Sequence, residues 1–98
     1  PEAFVVSNGL FLLGALQAIR AASLSIPDDV ALVGFDDDPW TALVEPGLTV
    51  IAQPTYDIGR TAMELLLQRQ ESPERPVRLV ELSGTLIVRG SSRMLALA

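Results

Sequence analysis

Apolar residues fall along this chain in short, dense runs separated by polar turns. Ala3-Phe4-Val5-Val6 combines β-branched and aromatic residues and predicts a short buried strand. Ser7 and Asn8 follow it as N-cap types, and a helix pattern opens over about Gly9 to Ser23. Leu10, Phe11, Leu12, Leu13, Leu16 and Ile19 spread around much of that helix. It is therefore expected to be buried on more than one side, one facing a sheet and another a partner chain.

Ile26 to Asp29 reads as a turn, and Val30 to Phe35 as a continuous apolar strand of the kind found in parallel sheets. Asp36-Asp37-Asp38 stands at its carboxyl end. Pro39 to Val44 fits a short helix or turn, stopped by Pro46-Gly47, and Leu48 to Ile51 fits a third strand. Pro54 suits the first turn of another helix, where its missing N–H costs nothing. Ile58, Ala62, Met63, Leu65 and Leu66 give that helix an apolar stripe ending near Gln70. After a polar loop from Glu71 to Pro76, Val77 to Leu82 and Thr85 to Arg89 read as two final strands around Ser83-Gly84. The order predicts an α/β fold, a mostly parallel sheet flanked by helices.

Composition narrows the chemistry more than the fold. The 98 residues suffice for one small domain or a piece of a larger one, and 49% are hydrophobic, enough for a core. There is no cysteine, which removes disulfides and thiolate metal sites. There is no histidine and no lysine, which removes the usual general base and the usual amine nucleophile. We therefore expect no enzyme and no cofactor. A net charge of -5 argues against nucleic-acid contact by this segment. No apolar run approaches a bilayer span, and the start, Pro1-Glu2-Ala3, has neither Met nor a basic leader, so the chain reads as beginning inside a longer protein.

Open parallel sheets bind ligands just beyond the carboxyl ends of their strands. Asn8, Asp36 and Gln53 each follow a predicted strand at that end. An amide that donates and accepts, beside a carboxylate that accepts from hydroxyls, suits a polyol or sugar. On the same residues, Asn8 simply caps its helix and Asp36 its loop. Successive side chains at a strand end diverge, so the acidic run does not suit a metal ion. A phosphoacceptor pocket would want a lysine, and there is none. Trp40 fits either an anchor for another subunit or a plug for its own core.

The stretch from Val6 to Gly59 resembles the LacI/GalR family of bacterial regulators. Ser7-Asn8-Gly9 with Leu13-Gly14-Ala15-Leu16 is similar to a family strand ending in Asn-Asp before an apolar, glycine-bearing helix. Ile26-Pro27-Asp28-Asp29-Val30-Ala31-Leu32-Val33-Gly34-Phe35-Asp36-Asp37 resembles its "VPxDVxxVGFDD" signature. Glu45 through Pro54 to Gly59 resembles "PPLTTVxQPxxxxG", and Leu86 to Ser91 its terminal strand. Gly9 stands where Asp is usual and Gly47 where Pro is usual.

The resemblance implies the C-terminal part of an effector-binding domain, a partial periplasmic-binding-protein type I-like fold. Residues from about 1 to 52 and 85 to 98 would lie in the C-terminal lobe. Residues from about 53 to 83 would cross to the N-terminal lobe. It also implies a cytoplasmic homodimer that meets DNA only through an N-terminal helix-turn-helix this sequence lacks, and that makes no membrane contact. Asn8 and Asp36 match effector contacts of sugar-responsive members, while Gln53 and Thr55 match positions bordering the cleft. Leu10, Leu13, Leu16, Trp40 and Val44 match the dimer face. A transport-type periplasmic sugar-binding protein of the same fold is the alternative, distinguished by an export signal and a more polar first helix.

Overall fold

The computed structural model describes residues 2–93. Four strands form one sheet: β1 (Ala3–Val6), β2 (Ala31–Phe35), β3 (Thr49–Ala52) and β4 (Thr85–Ile87), in that spatial order. The first three are parallel, and β4 runs antiparallel to β3, with Ile51 opposite Leu86. Between them lie α1 (Gly9–Ala21), α2 (Pro39–Leu43) and α3 (Thr55–Glu71), and a 3-10 turn over Gly90–Ser92 follows β4. The mixed, mainly parallel sheet with its helices is the α/β arrangement the pattern predicts.

The chain divides into two compact units. The first takes the residues up to Gln53 and those from Thr85 on; the second runs from Pro54 to Gly84. The expected C-terminal-lobe segment beyond residue 93, like residue 1, lies outside the described residues.

In the first unit, α1 lays Leu12, Leu16 and Ile19 against the sheet, a spacing that puts all three on one helical face. They close over Val30, Leu32, Leu48 and Val50, with Trp40 and Val44 packed at the margin. Each fully buried side chain of this kind contributes about 1.5–3 kcal/mol. Gly34 lets β2 approach α1: a Cβ there would collide with both methyl groups of Leu12.

Three expectations need correction. Leu16 is 3% exposed, buried in the chain's own core, and has no surface to offer a second subunit. Phe4 and Val5 of β1 are exposed, because β1 is the sheet's edge and no described element covers its outer face. Val77 to Leu82 is not a strand: a strand needs a ladder partner, and none runs beside it among the described residues. In the second unit, α3 buries none of its residues. Ile58, Ala62 and Leu65 of its stripe instead line an open apolar hollow with Val80 and Leu82.

Candidate functional site

The parallel register aligns the carboxyl ends of β1, β2 and β3 along one sheet edge, with Val6 opposite Gly34 and Phe35 opposite Ile51. Asp36 and Gln53 follow the ends of β2 and β3 directly, and Asn8 follows β1 after Ser7.

Asn8 is the N-cap of α1. Its extended backbone frees the side chain to accept from the Phe11 backbone N–H at 3.0 Å. The cap uses Oδ1 only; the amide nitrogen has no partner among the described residues and keeps two donors.

Asp36 has φ 80, in the left-handed region, at a cost of about 1–2 kcal/mol for an L-residue. Its N–H donates to the Ile51 carbonyl at 2.9 Å, which continues the β2–β3 ladder through the turn. Its Oδ1 accepts from Gln53 Nε2 at 2.6 Å. Two of the sequence-predicted groups are therefore joined directly, from adjacent strand ends. Asn8 bonds to neither of them. Thr55, the first residue of α3, is exposed and belongs to the second unit.

The rest of the acidic run goes elsewhere. Asp37 Oδ1 accepts from Arg89 Nη2 at 2.9 Å, a half-buried ion pair. Arg89 Nη1 also donates to the Leu48 carbonyl and to Thr41 Oγ1, both at 3.0 Å. Asp38 caps α2 through its backbone, and its carboxylate lies against Gly9: a Cβ there would be 2.6 Å from Asp38 Oδ2. The three carboxylates thus serve three different neighbours. Among the described residues no cluster of three or more His, Cys, Asp or Glu could hold a metal ion.

Sequence reasoning missed a fastening of the site's base. Ser91 is fully buried; its Oγ donates to the Leu32 carbonyl and accepts from the Thr49 N–H at 2.8 Å. Thr49 Oγ1 accepts from the Arg89 N–H at 2.9 Å and lies 2.6 Å from Ser92 Oγ. These bonds tie β2 and β3 to the chain's last described turn. The sequence carried one hint, an arginine just past the last strand of a chain with a three-aspartate run.

The expected subunit face is divided. Leu10 is 82% exposed, and Leu13 and Phe11 are exposed beside it on α1. Trp40 and Val44 are half-buried against their own core, whereas Leu43 on α2 is 82% exposed. No helix among the described residues is long and apolar enough to cross a membrane.

Comparison with known proteins agrees with this architecture. The family model of a periplasmic binding protein-like domain matches residues 1–92. The HTH-type transcriptional regulator KdgR of Bacillus subtilis is 41% identical over 90 residues, covering 92% of this chain and 26% of its own length. The HTH-type transcriptional repressor CytR of Escherichia coli is 38% identical over 95 residues, covering 97% of this chain and 28% of its own. A putative LacI-family repressor from Corynebacterium glutamicum superposes with a TM-score of 0.84 at 33% identity, covering 96% of this chain and 36% of that one. The CelR regulator in complex with cellobiose gives 0.81 at 39% identity, over 93% of this chain and 28% of that one. A LacI-family regulator from Enterococcus faecium with bound ribose gives 0.77 at 30% identity, over 93% and 34%. The chain spans about a quarter of the length of the curated relatives it matches.

Proposed function

The chain belongs to the periplasmic binding protein-like domain family, in the form carried by LacI-type transcriptional regulators, and on that footing we propose that it supplies one wall of an effector pocket and part of a dimer face in a bacterial repressor. The effector is a sugar or a similar polar metabolite. The observation that carries this reading is the Asp36–Gln53 pair at the carboxyl ends of β2 and β3, with Asp36 held at positive φ. Strain of this kind concentrates at functional sites. Asp36 accepts from a ligand hydroxyl, Gln53 Oε1 accepts from a second, and the spare amide donors of Asn8 reach a ligand oxygen.

The cellobiose and ribose complexes of related regulators support a carbohydrate of this class. Carbohydrate selectivity rests on hydrogen-bond count, because each buried group left unpaired costs about 1–3 kcal/mol. The chain acts by binding, not catalysis, with no cofactor or metal, and it works in the cytoplasm. DNA contact belongs to an N-terminal domain, and closure of the lobes around the effector changes its geometry. Leu10, Leu13 and the margin formed by Trp40 and Val44 meet a second copy.

The test uses the full-length regulator in calorimetry against a panel of mono- and disaccharides. One sugar is expected to bind and to release operator DNA. Asp36→Ala is expected to weaken that sugar by about 10- to 100-fold. Unchanged sugar affinity in Asp36→Ala would sink the assignment.

A further inference from the structure

All seven basic side chains of this chain are arginines, and the structure employs them unevenly. Arg60 pairs with Asp57 and Glu64 along α3, and Arg89 pairs with Asp37. Arg20 donates to the Glu45 carbonyl. Arg69, Arg75 and Arg78 instead line one hollow of about 310 Å³ in the second unit, walled by Leu65, Gln68 and Val77. No carboxylate lies within 4.0 Å of any of these three among the described residues, although Glu71 and Glu74 sit in the same stretch of sequence.

Their neutral partners satisfy them poorly. Arg75 Nη1 and Arg78 Nη1 both donate to a single oxygen, Gln68 Oε1, each at 3.3 Å. Two like charges are thus gathered on one uncharged acceptor. Arg69 donates to the Pro73 and Pro76 carbonyls at 3.4 and 3.5 Å, which holds the loop over the hollow. Charge-assisted bonds normally close to about 2.7–2.9 Å. Each guanidinium carries five N–H donors, so most donors in the hollow are unused. The carboxyl end of α3 contributes only about half a negative charge, well short of balancing three cations. The volume lies at the low end of small-ligand sites.

We propose that this hollow is an anion site for a phosphate-type oxyanion, either free phosphate or the phosphate of a small metabolite. The planar forks of Arg75 and Arg78 bind its oxygens, displacing their shared contact to Gln68, while Arg69 keeps the loop in place. The site is separate from the Asp36–Gln53 pair and does not depend on the sugar reading.

The experiment titrates the full-length protein with inorganic phosphate and, separately, with glycerol 3-phosphate, by calorimetry at constant ionic strength. Saturable binding is expected, weakened at least about tenfold in Arg75→Gln/Arg78→Gln and unchanged in Arg60→Gln. Arg75→Lys/Arg78→Lys, which keeps the charge and loses the fork, is expected to fall between them, and it serves if the glutamine variant unfolds. Equal affinity for both probes identifies the free oxyanion as ligand; tighter binding of the ester identifies a metabolite. Absence of saturation below about 10 mM for both probes overturns the proposal, as does equal weakening by Arg60→Gln.

Discussion

Replacing Gly34 by alanine tests how closely β2 and α1 approach. In a strand interior, alanine is ordinarily better than glycine by about 0.5–1 kcal/mol, because glycine loses more chain entropy on folding. No described glycine has positive φ, so the backbone at Gly34 accepts a side chain. The space does not. The new Cβ would overlap Leu12 Cδ2 outright and lie 2.8 Å from Cδ1 and 3.0 Å from Cγ. The whole branch of Leu12 is in the way, and Leu12 is 0% exposed, so it has no solvent to move into. Overpacking of this kind costs about 1–3 kcal/mol, which outweighs the entropic gain. The net expectation is a loss of about 1–2 kcal/mol. The assay is urea unfolding followed by the fluorescence of Trp40, the sole tryptophan, which packs on the core of the first unit and reports that unit. A midpoint shift of about 0.5–1.5 M is expected. Leu12→Ala alone costs about 2–5 kcal/mol, but paired with Gly34→Ala it leaves room for the new methyl. The two changes should therefore couple favourably by about 1 kcal/mol or more. Wild-type stability in Gly34→Ala, or strict additivity in the pair, would refute the reasoning.

Gly14, inside α1, has nothing within 4 Å of where an alanine methyl would stand, so Gly14→Ala should raise stability by about 1 kcal/mol in the same assay. Ser91→Ala strands the Thr49 N–H and the Leu32 carbonyl in the core and should cost about 2–4 kcal/mol in urea unfolding. Arg89→Leu leaves Asp37 with the Thr41 hydroxyl but no cation, and the Leu48 carbonyl with one donor fewer; with both charges partly solvated, a loss of about 1–2 kcal/mol is expected from thermal melts. Leu10→Glu should drive the full-length protein toward monomers in sedimentation velocity, while changing monomer stability by no more than about 0.5 kcal/mol.

Periodicity located the elements well wherever local sequence decides them. β2 and β3 follow from continuous apolar runs bounded by turn residues, and α1 from a polar cap before a leucine-rich stretch. The pattern failed where a partner decides. Val77 to Leu82 has strand composition, but composition does not provide a neighbouring strand. Leu10, Leu13 and Leu16 look alike on paper; only the packing of Leu16 under the sheet separates core from surface. Asp36 and Gln53 were legible because both follow strand ends, and their 2.6 Å bond follows from adjacent parallel strands. The ties from Arg89 to Asp37 and from Ser91 to Leu32 were not legible, since they join residues 52 and 59 positions apart.

Those last ties also set a timetable for synthesis. The first unit is discontinuous: everything up to Gln53 must wait for β4 and for Ser91 before β3 has its antiparallel neighbour and Leu32 its hydroxyl. The second unit is made in between. At roughly 5–20 residues per second, the ribosome needs about 2–8 s to bridge that gap, during which β3 presents an open edge to any other chain nearby. The Gly90–Ser92 turn therefore acts as a clasp fastened late, after the whole second unit has been made.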